Sequence, residues 1–190
     1  MSTCPLWCVG CLSIDDDHAG RPVERIQILA FGDSLTSGVG GSGYSYPRYL
    51  AALTGIEILS DGVPGDTAIQ GSSRFQNAIN RVDPDLVIIC LGINDFLRNI
   101  PAEQSLRHIR SMLNVAEKSS VNVLLLAVPN PHTGRVHDVF LEIKESEYVQ
   151  VDLYSLTDVW RNQLYRADLV HLNKQGYRAL AESLKERLEW

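Results

Sequence analysis

Apolar residues in this chain gather in five short runs, 26–31, 56–60, 85–91, 121–127 and 148–152. Ile88-Ile89-Cys90-Leu91 and Val121 to Val128 are nearly continuous in apolar character, the pattern of parallel strands covered on both faces. Three segments between the runs and one after the last repeat their apolar positions at helical spacing. Pro47 to Leu53 is a short one, and Asp66 to Val82 a longer one with Phe75, Ile79 and Val82 on one face. Residues 101–118 place Leu106, Ile109, Leu113 and Ala116 on a stripe, with Pro101 suited to the first turn. Lys174 to Leu188 turns Tyr177, Leu180, Ala181, Leu184 and Leu188 inward, with Asn173 as N-cap. Strands alternating with helices at this interval predict a single α/β domain over 26–190 with right-handed crossovers and a parallel sheet.

Composition changes this picture little. A chain of 190 residues fits one domain, and 45% apolar with 21% charged residues is the make-up of an ordinary globule. A net charge of −6 argues against a nucleic-acid partner, which would favour a basic face. No apolar run approaches the ~20 residues that span a bilayer. Residues 1–25 read as a polar leader, loop or disorder, marked by Asp15-Asp16-Asp17 and Gly20-Arg21-Pro22. They lack the basic start of a signal peptide, and Cys4, Pro5, Cys8, Gly10 and Cys11 interrupt its apolar segment, so a cytoplasmic protein is expected. Cys4-x3-Cys8-x2-Cys11 matches the cluster-binding spacing of radical enzymes that use S-adenosylmethionine. Those enzymes carry an aromatic residue where Gly10 stands, and they need a barrel that the rest of the chain does not provide. Zinc would want a fourth ligand, and nothing fixes His18 in that place. The expectation is a cysteine-bearing tail without metal or cofactor, and a Cys90 that is simply a buried small hydrophobe.

Candidate chemistry enters with Phe31-Gly32-Asp33-Ser34-Leu35-Thr36-Ser37-Gly38, directly behind the first run. Ser34 then stands at the carboxyl end of a strand, where open α/β sheets place their ligand crevices. Serines are common in turns, so Ser34 alone says little. Three further motifs supply what a nucleophilic serine needs: Gly62-Val63-Pro64-Gly65-Asp66-Thr67, Gly92-Ile93-Asn94-Asp95 and Asp168-Leu169-Val170-His171. His171 is the candidate base, because an imidazole titrates near neutral pH and can return the proton to a leaving group. Asp168 lies three residues earlier. An extended strand would put the two on opposite faces, but a single turn lets the carboxylate reach the ring. Alternatively, Asp168 and Asn173 merely cap a helix entry. Gly65 stands just before a predicted helix, so its backbone N–H can point into the crevice with the helix dipole behind it. Gly62 and Gly65 also fit plain turn geometry around Pro64. Asn94 follows the third strand, and its amide can reach the same crevice, although Asn94-Asp95 also reads as a turn. Asp33 is expected to order the turn beneath the serine.

These four blocks, in this order, resemble the signature of the SGNH (GDSL-type) hydrolases, with the family letters on Ser34, Gly65, Asn94 and His171. The likeness runs from about Ile26 to Trp190 and is closest to the small thioesterase I, lysophospholipase L1 and arylesterase type. It implies a three-layer α/β/α sandwich, flavodoxin-like, with a five-stranded parallel sheet in the order 2-1-3-4-5. By resemblance, Ser34, His171 and Asp168 form a catalytic triad. The oxyanion donors are then the backbones of Ser34 and Gly65 and the side chain of Asn94. The implied activity is hydrolysis of carboxylic esters or thioesters of small acyl or lysolipid substrates through an acyl-enzyme, without cofactor or metal.

Other readings remain. Gly38-Val39-Gly40-Gly41-Ser42-Gly43 fits a dinucleotide fingerprint, with Asp61 near a ribose-binding position. Its first glycine trails the strand end at Phe31 by seven positions, and the Asn94 and His171 blocks would be left without purpose. The loop reads better as a flexible rim that brings Tyr44 and Tyr46 to the acyl group. A carbohydrate O-acetyl esterase on the same fold is the nearer alternative, and a non-catalytic binding module the remoter one. Pro129-Asn130-Pro131-His132-Thr133-Gly134 is expected to be an irregular loop near the crevice that influences substrate choice.

Overall fold

The computed structural model describes residues 26–136 and 138–188, so the expectations for residues 1–25 (Cys4, Cys8, Cys11 and His18 among them) lie outside the described residues. The five apolar runs form five strands: β1 (Gln27–Gly32), β2 (Glu57–Gly62), β3 (Leu86–Cys90), β4 (Asn122–Leu126) and β5 (Val149–Asp152). All pair in parallel, in the order β2-β1-β3-β4-β5, as the resemblance implied. The chain leaves β1 for β2 on one side and returns for β3 on the other. That reversal opens a crevice at the carboxyl ends of β1 and β3.

Among the described residues, eight α-helices connect and cover the sheet: α1 (Ser34–Ser37), α2 (Tyr46–Thr54), α3 (Ala68–Val82), α4 (Ile93–Leu97), α5 (Ala102–Lys118), α6 (Asp138–Leu141), α7 (Ser155–Arg161) and α8 (Lys174–Arg187). α2 packs on α8 and α8 on α7, while α3 packs on α5 and α5 on α6, giving the two outer layers of an α/β/α sandwich. Ile28 to Phe31 and Val87 to Leu91 are wholly buried between them, Cys90 included. Phe31 meets Phe75 of α3 edge to face, with ring centroids 4.9 Å apart. The stripes expected on α5 and α8 are the buried ones.

Differences from the sequence reading concern short elements. α1, α4, α6 and α7 were not expected; with four to seven residues each they hold too few turns for a period to show. α3 starts at Ala68 rather than at residue 66, because Thr67 caps it and its N–H donates to the Gln70 side chain. Pro101 takes the N-cap position of α5 instead of the first turn. Between β4 and β5 the chain makes a Pro129–Val136 bridge and the four-residue α6. The loop at 130–134 is held down onto α7, where Arg161 Nε donates to the Gly134 carbonyl at 2.9 Å.

Candidate active site

β1 delivers Ser34 directly. Asp33 caps α1, its Oδ1 accepting the Leu35 N–H at 2.9 Å, so Ser34 becomes the first residue of a one-turn helix. This is the turn-ordering role expected of Asp33. Its own side chain is fully buried, and burial pushes the carboxyl up to about 7; the Leu35 hydrogen bond opposes this, while the Asp66 and Asp95 charges add to it. Beneath the serine, Tyr46 and Thr36 are also buried, Tyr46 Oη lying 3.3 Å from Thr36 Oγ1. Tyr46 therefore belongs to the floor of the site and not to its rim, because its ring sits in the first turn of α2 facing the sheet.

The loop after β2 and the helix after β3 close in from the side. Gly65 has φ +86°, a left-handed conformation that glycine adopts without strain, and its carbonyl accepts from Arg98 Nη2 at 2.8 Å. Among the described residues, neither the Ser34 nor the Gly65 backbone N–H has a partner. Asn94 lies in α4, and its Nδ2 donates to the Asp66 carbonyl at 2.9 Å and, more weakly, to Asp33 Oδ2 at 3.3 Å. Its amide is thus slotted between the serine turn and the Gly65 loop.

His171 comes from the far end of the chain. Its Nε2 is 2.9 Å from Ser34 Oγ, and its Nδ1 is 2.7 Å from Asp168 Oδ2. A carboxylate only accepts, so Nδ1 carries the proton and the Nε2 lone pair faces the serine hydroxyl. Asp168 Oδ1 accepts the backbone N–H groups of Val170 and His171, both at 2.8 Å. The turn contacts and the contact with the histidine ring thus fall on different oxygens of one carboxylate. Partial burial pushes the Asp168 carboxyl up, but the bonds from the His171 backbone, the His171 ring and the Val170 N–H outweigh it and hold the group below its usual range. Asn173 caps α8 as expected, accepting from the Gly176 N–H at 3.0 Å.

The glycine loop between α1 and α2 joins these parts. Gly38 and Val39 N–H groups both bond the Ser34 carbonyl, Gly41 N–H bonds Gly38, and Tyr44 N–H bonds Gly41. With these amides engaged and the Asp61 carboxylate held by Arg74 and Arg81, little is left to cradle a dinucleotide. A Cβ at Gly40 would lie 2.7 Å from the Leu172 carbonyl oxygen and 3.1 Å from His171 Cβ, so the loop abuts the histidine. Tyr44 is half-buried, stacked on Tyr49 with the Lys174 ammonium 4.1 Å above its ring.

A family model described as the GDSL-like Lipase/Acylhydrolase family matches residues 30–179, and so takes in all four blocks. The chain belongs to this family. It is an enzyme of the ester-bond hydrolase class. Its relatives include the arylesterase of Vibrio mimicus, 31% identical over 137 residues, which are 67% of this chain and 68% of that one. The thioesterase 1/protease 1/lysophospholipase L1 of Escherichia coli (strain K12) is 23% identical over 179 residues, 89% of this chain and 86% of that one. Among solved structures, TesA superposes with a TM-score of 0.72 at 25% identity, covering 86% of this chain and 98% of that one.

Two residues around this GDSL-type site, Arg74 and Trp160, lie outside the four blocks, and a third, Asp95, reads within them only as a turn residue. Asp95, almost wholly buried, accepts the Ala68 N–H at 2.9 Å and the Ser105 hydroxyl at 2.7 Å, fixing the start of α3 beside the Gly65 loop. Trp160 Nε1 donates to the carbonyl of Val170, the residue before His171, at 2.9 Å. Arg74 lies under the Gly65 loop, on the buried stripe of α3 between Gly71 and Ala78. A cation on an apolar stripe was the one signal in the sequence that could have marked it.

Proposed function

We propose that this hydrolase is a serine esterase working through an acyl-enzyme at Ser34, on small carboxylic esters or thioesters of the arylesterase, thioesterase and lysophospholipase kind. The observation that carries this reading is the Ser34–His171–Asp168 relay, with its 2.9 Å and 2.7 Å links. Ser34 Oγ attacks the acyl carbonyl carbon while His171 Nε2 takes the hydroxyl proton. The tetrahedral oxyanion is met by the N–H groups of Ser34 and Gly65 and by the Asn94 amide, which exchanges its long contact with Asp33 for the oxyanion. His171 then gives its proton to the leaving alcohol or thiol as the bond to it breaks. Water, deprotonated by the same imidazole, attacks the acyl-enzyme; the bond to Ser34 Oγ breaks, His171 returns the proton to that oxygen, and the acid is released. Asp168 holds the ring and stabilises the imidazolium at each step.

Among the described residues, no helix is long and apolar enough to cross a membrane. The cytoplasmic setting rests on the composition of residues 1–25 alone and stays part of the proposal; cell fractionation tests it. For the activity, purified protein is assayed on p-nitrophenyl esters of increasing acyl length beside acyl-CoA thioesters and acetylated sugars. Turnover of the first two, lost in Ser34→Ala, is the expected result. Turnover of acetylated sugars alone would move the substrate class to carbohydrate O-acetyl esters.

A further inference from the structure

We infer that Arg74 is a positioning residue for the oxyanion-binding half of the site, an inference that rests on the Ser34 reading above. Its guanidinium ties together two chain segments that bring that half in from different sides. Nη2 donates to the Gly32 carbonyl at 2.9 Å, at the end of the strand two residues before Ser34. Nε donates to Asp66 Oδ2 at 2.7 Å, in the residue directly after Gly65. Nη1 and Nη2 also hold the Asp61 carboxylate at 2.7 Å and the Asp61 carbonyl at 3.3 Å, at the end of β2 where the Gly65 loop begins. Its Cζ lies 4.0 Å from the centroid of the Phe31 ring, a cation–π contact that backs the fork from one side.

The linkage reaches further through Asp66. Its carboxylate is fixed by Arg74, and its carbonyl accepts the Asn94 amide. A shift of Asp66 therefore moves Gly65, its covalent neighbour, and Asn94, its hydrogen-bonded neighbour, at once. All three proposed oxyanion donors are thus referred to one guanidinium. A misplacement of about 1 Å in such groups costs roughly 100-fold in rate.

Stability gives a poorer account of the same residue. The Arg74 and Asp66 side chains are only 24% and 9% exposed. An ion pair buried this far is often matched or bettered in stability by apolar side chains of similar volume. What apolar packing cannot supply is a planar fork with a fixed angle between its donors, and lysine, a single ammonium on a flexible stem, cannot supply it either.

The experiment measures kcat and KM on a short-chain p-nitrophenyl ester for wild type, Arg74→Lys, Asp66→Ala and Ser34→Ala, each with a thermal melt. Arg74→Lys should lower kcat by about 10- to 100-fold with KM within roughly threefold, at temperatures where the variant is fully folded. Asp66→Ala cuts the same link from the loop side while Arg74 keeps Asp61 and Gly32, and should give a kcat loss of the same kind even if Arg74→Lys folds poorly. Combining Arg74→Lys with Asn94→Ala should cost less than the product of the two single losses, because both act through one group of donors. Folded variants with wild-type kcat and only a lowered melting temperature would overturn the inference while leaving the triad in place. Turnover surviving in Ser34→Ala would instead overturn the parent reading, and this inference with it.

Discussion

The two halves of this active site are held by different means. On one side Ser34, Gly65 and Asn94 follow the carboxyl ends of β1, β2 and β3, over a floor of buried side chains and hydrogen bonds made by Asp33, Asp66, Asp95 and Arg74. On the other, Asp168 and His171 sit in a surface loop, their side chains 54% and 21% exposed, and the hydrogen bonds among residues 164–173 are local. The Arg166–Leu172 bridge and the Ala167 N–H to His171 carbonyl bond close that loop on itself. Long-range packing fixes the groups proposed to meet developing charge. Short-range turns fix the group proposed to carry the proton, and Trp160, the glycine loop, the buried Leu172 and the start of α8 tie the second half to the body of the domain.

The largest effect should come from removing the bond between the halves. Ser34→Ala and His171→Ala should each lower hydrolysis by about 10,000-fold or more, and the double variant should be hardly worse than either. Additive losses in steady-state assays would mean the halves do not act as one unit. Asp168→Asn should follow, at about 1,000-fold. The amide would present a donor to Nδ1 and force the wrong tautomer, while its oxygen still accepts the Val170 and His171 N–H groups, so the loop should keep its shape. An unchanged melting temperature beside that rate loss separates the two oxygens' roles. Asn94→Ala should lower kcat by roughly 100- to 1,000-fold with little change in KM; a KM effect at constant kcat would make Asn94 a substrate-binding residue.

The smallest expected effect sharpens the contrast in burial and is read as stability. Asp33 has a native pKa of about 7 against 3.8 for the ordinary group, raised mainly by burial. Between those values the native protein keeps a proton that the unfolded chain has released. Stability from this group therefore falls as pH rises from about 4 to 7, by a few kcal/mol at most, and stays low above that. Asp168 is shifted the other way and is more than half exposed, so its contribution has the opposite sign and is screened. Denaturant melts from pH 4 to 8 should show a decline across the window in wild type that is flattened in Asp33→Asn. An identical pH profile in the two proteins would show that Asp33 stays ionised throughout.

The same contrast explains what could be read from the chain. Strands such as Ile28–Phe31 and helices as long as α3, α5 and α8 announce themselves, because burial on a regular period repeats often enough to be seen. The four blocks announce themselves too, as short runs of turn-formers and polar residues at strand ends. One-turn helices such as α1 and α6 do not, since a single turn has no period. Tyr46 was misplaced because its neighbours Tyr44 and Gly43 read as loop, whereas Tyr46, Leu50 and Leu53 already mark the inner side of α2. Arg74, Asp95 and Trp160 matter through partners as distant as the Gly32 carbonyl or the Val170 carbonyl, and a backbone acceptor leaves no mark in the sequence of its donor.

The seam where Gly40 meets His171 and Tyr177 Oη donates to the Val39 carbonyl has a consequence for how the enzyme is made. Ser34 and His171 are 137 positions apart, with every other element of the sheet between them. The chain is synthesised from the amino end at about 5–20 residues per second, so β1 and its serine leave the ribosome several seconds before His171. On the proposed mechanism the nascent chain holds a nucleophile without its base throughout that interval, and gains the base only once residues 168–171 lie against the glycine loop.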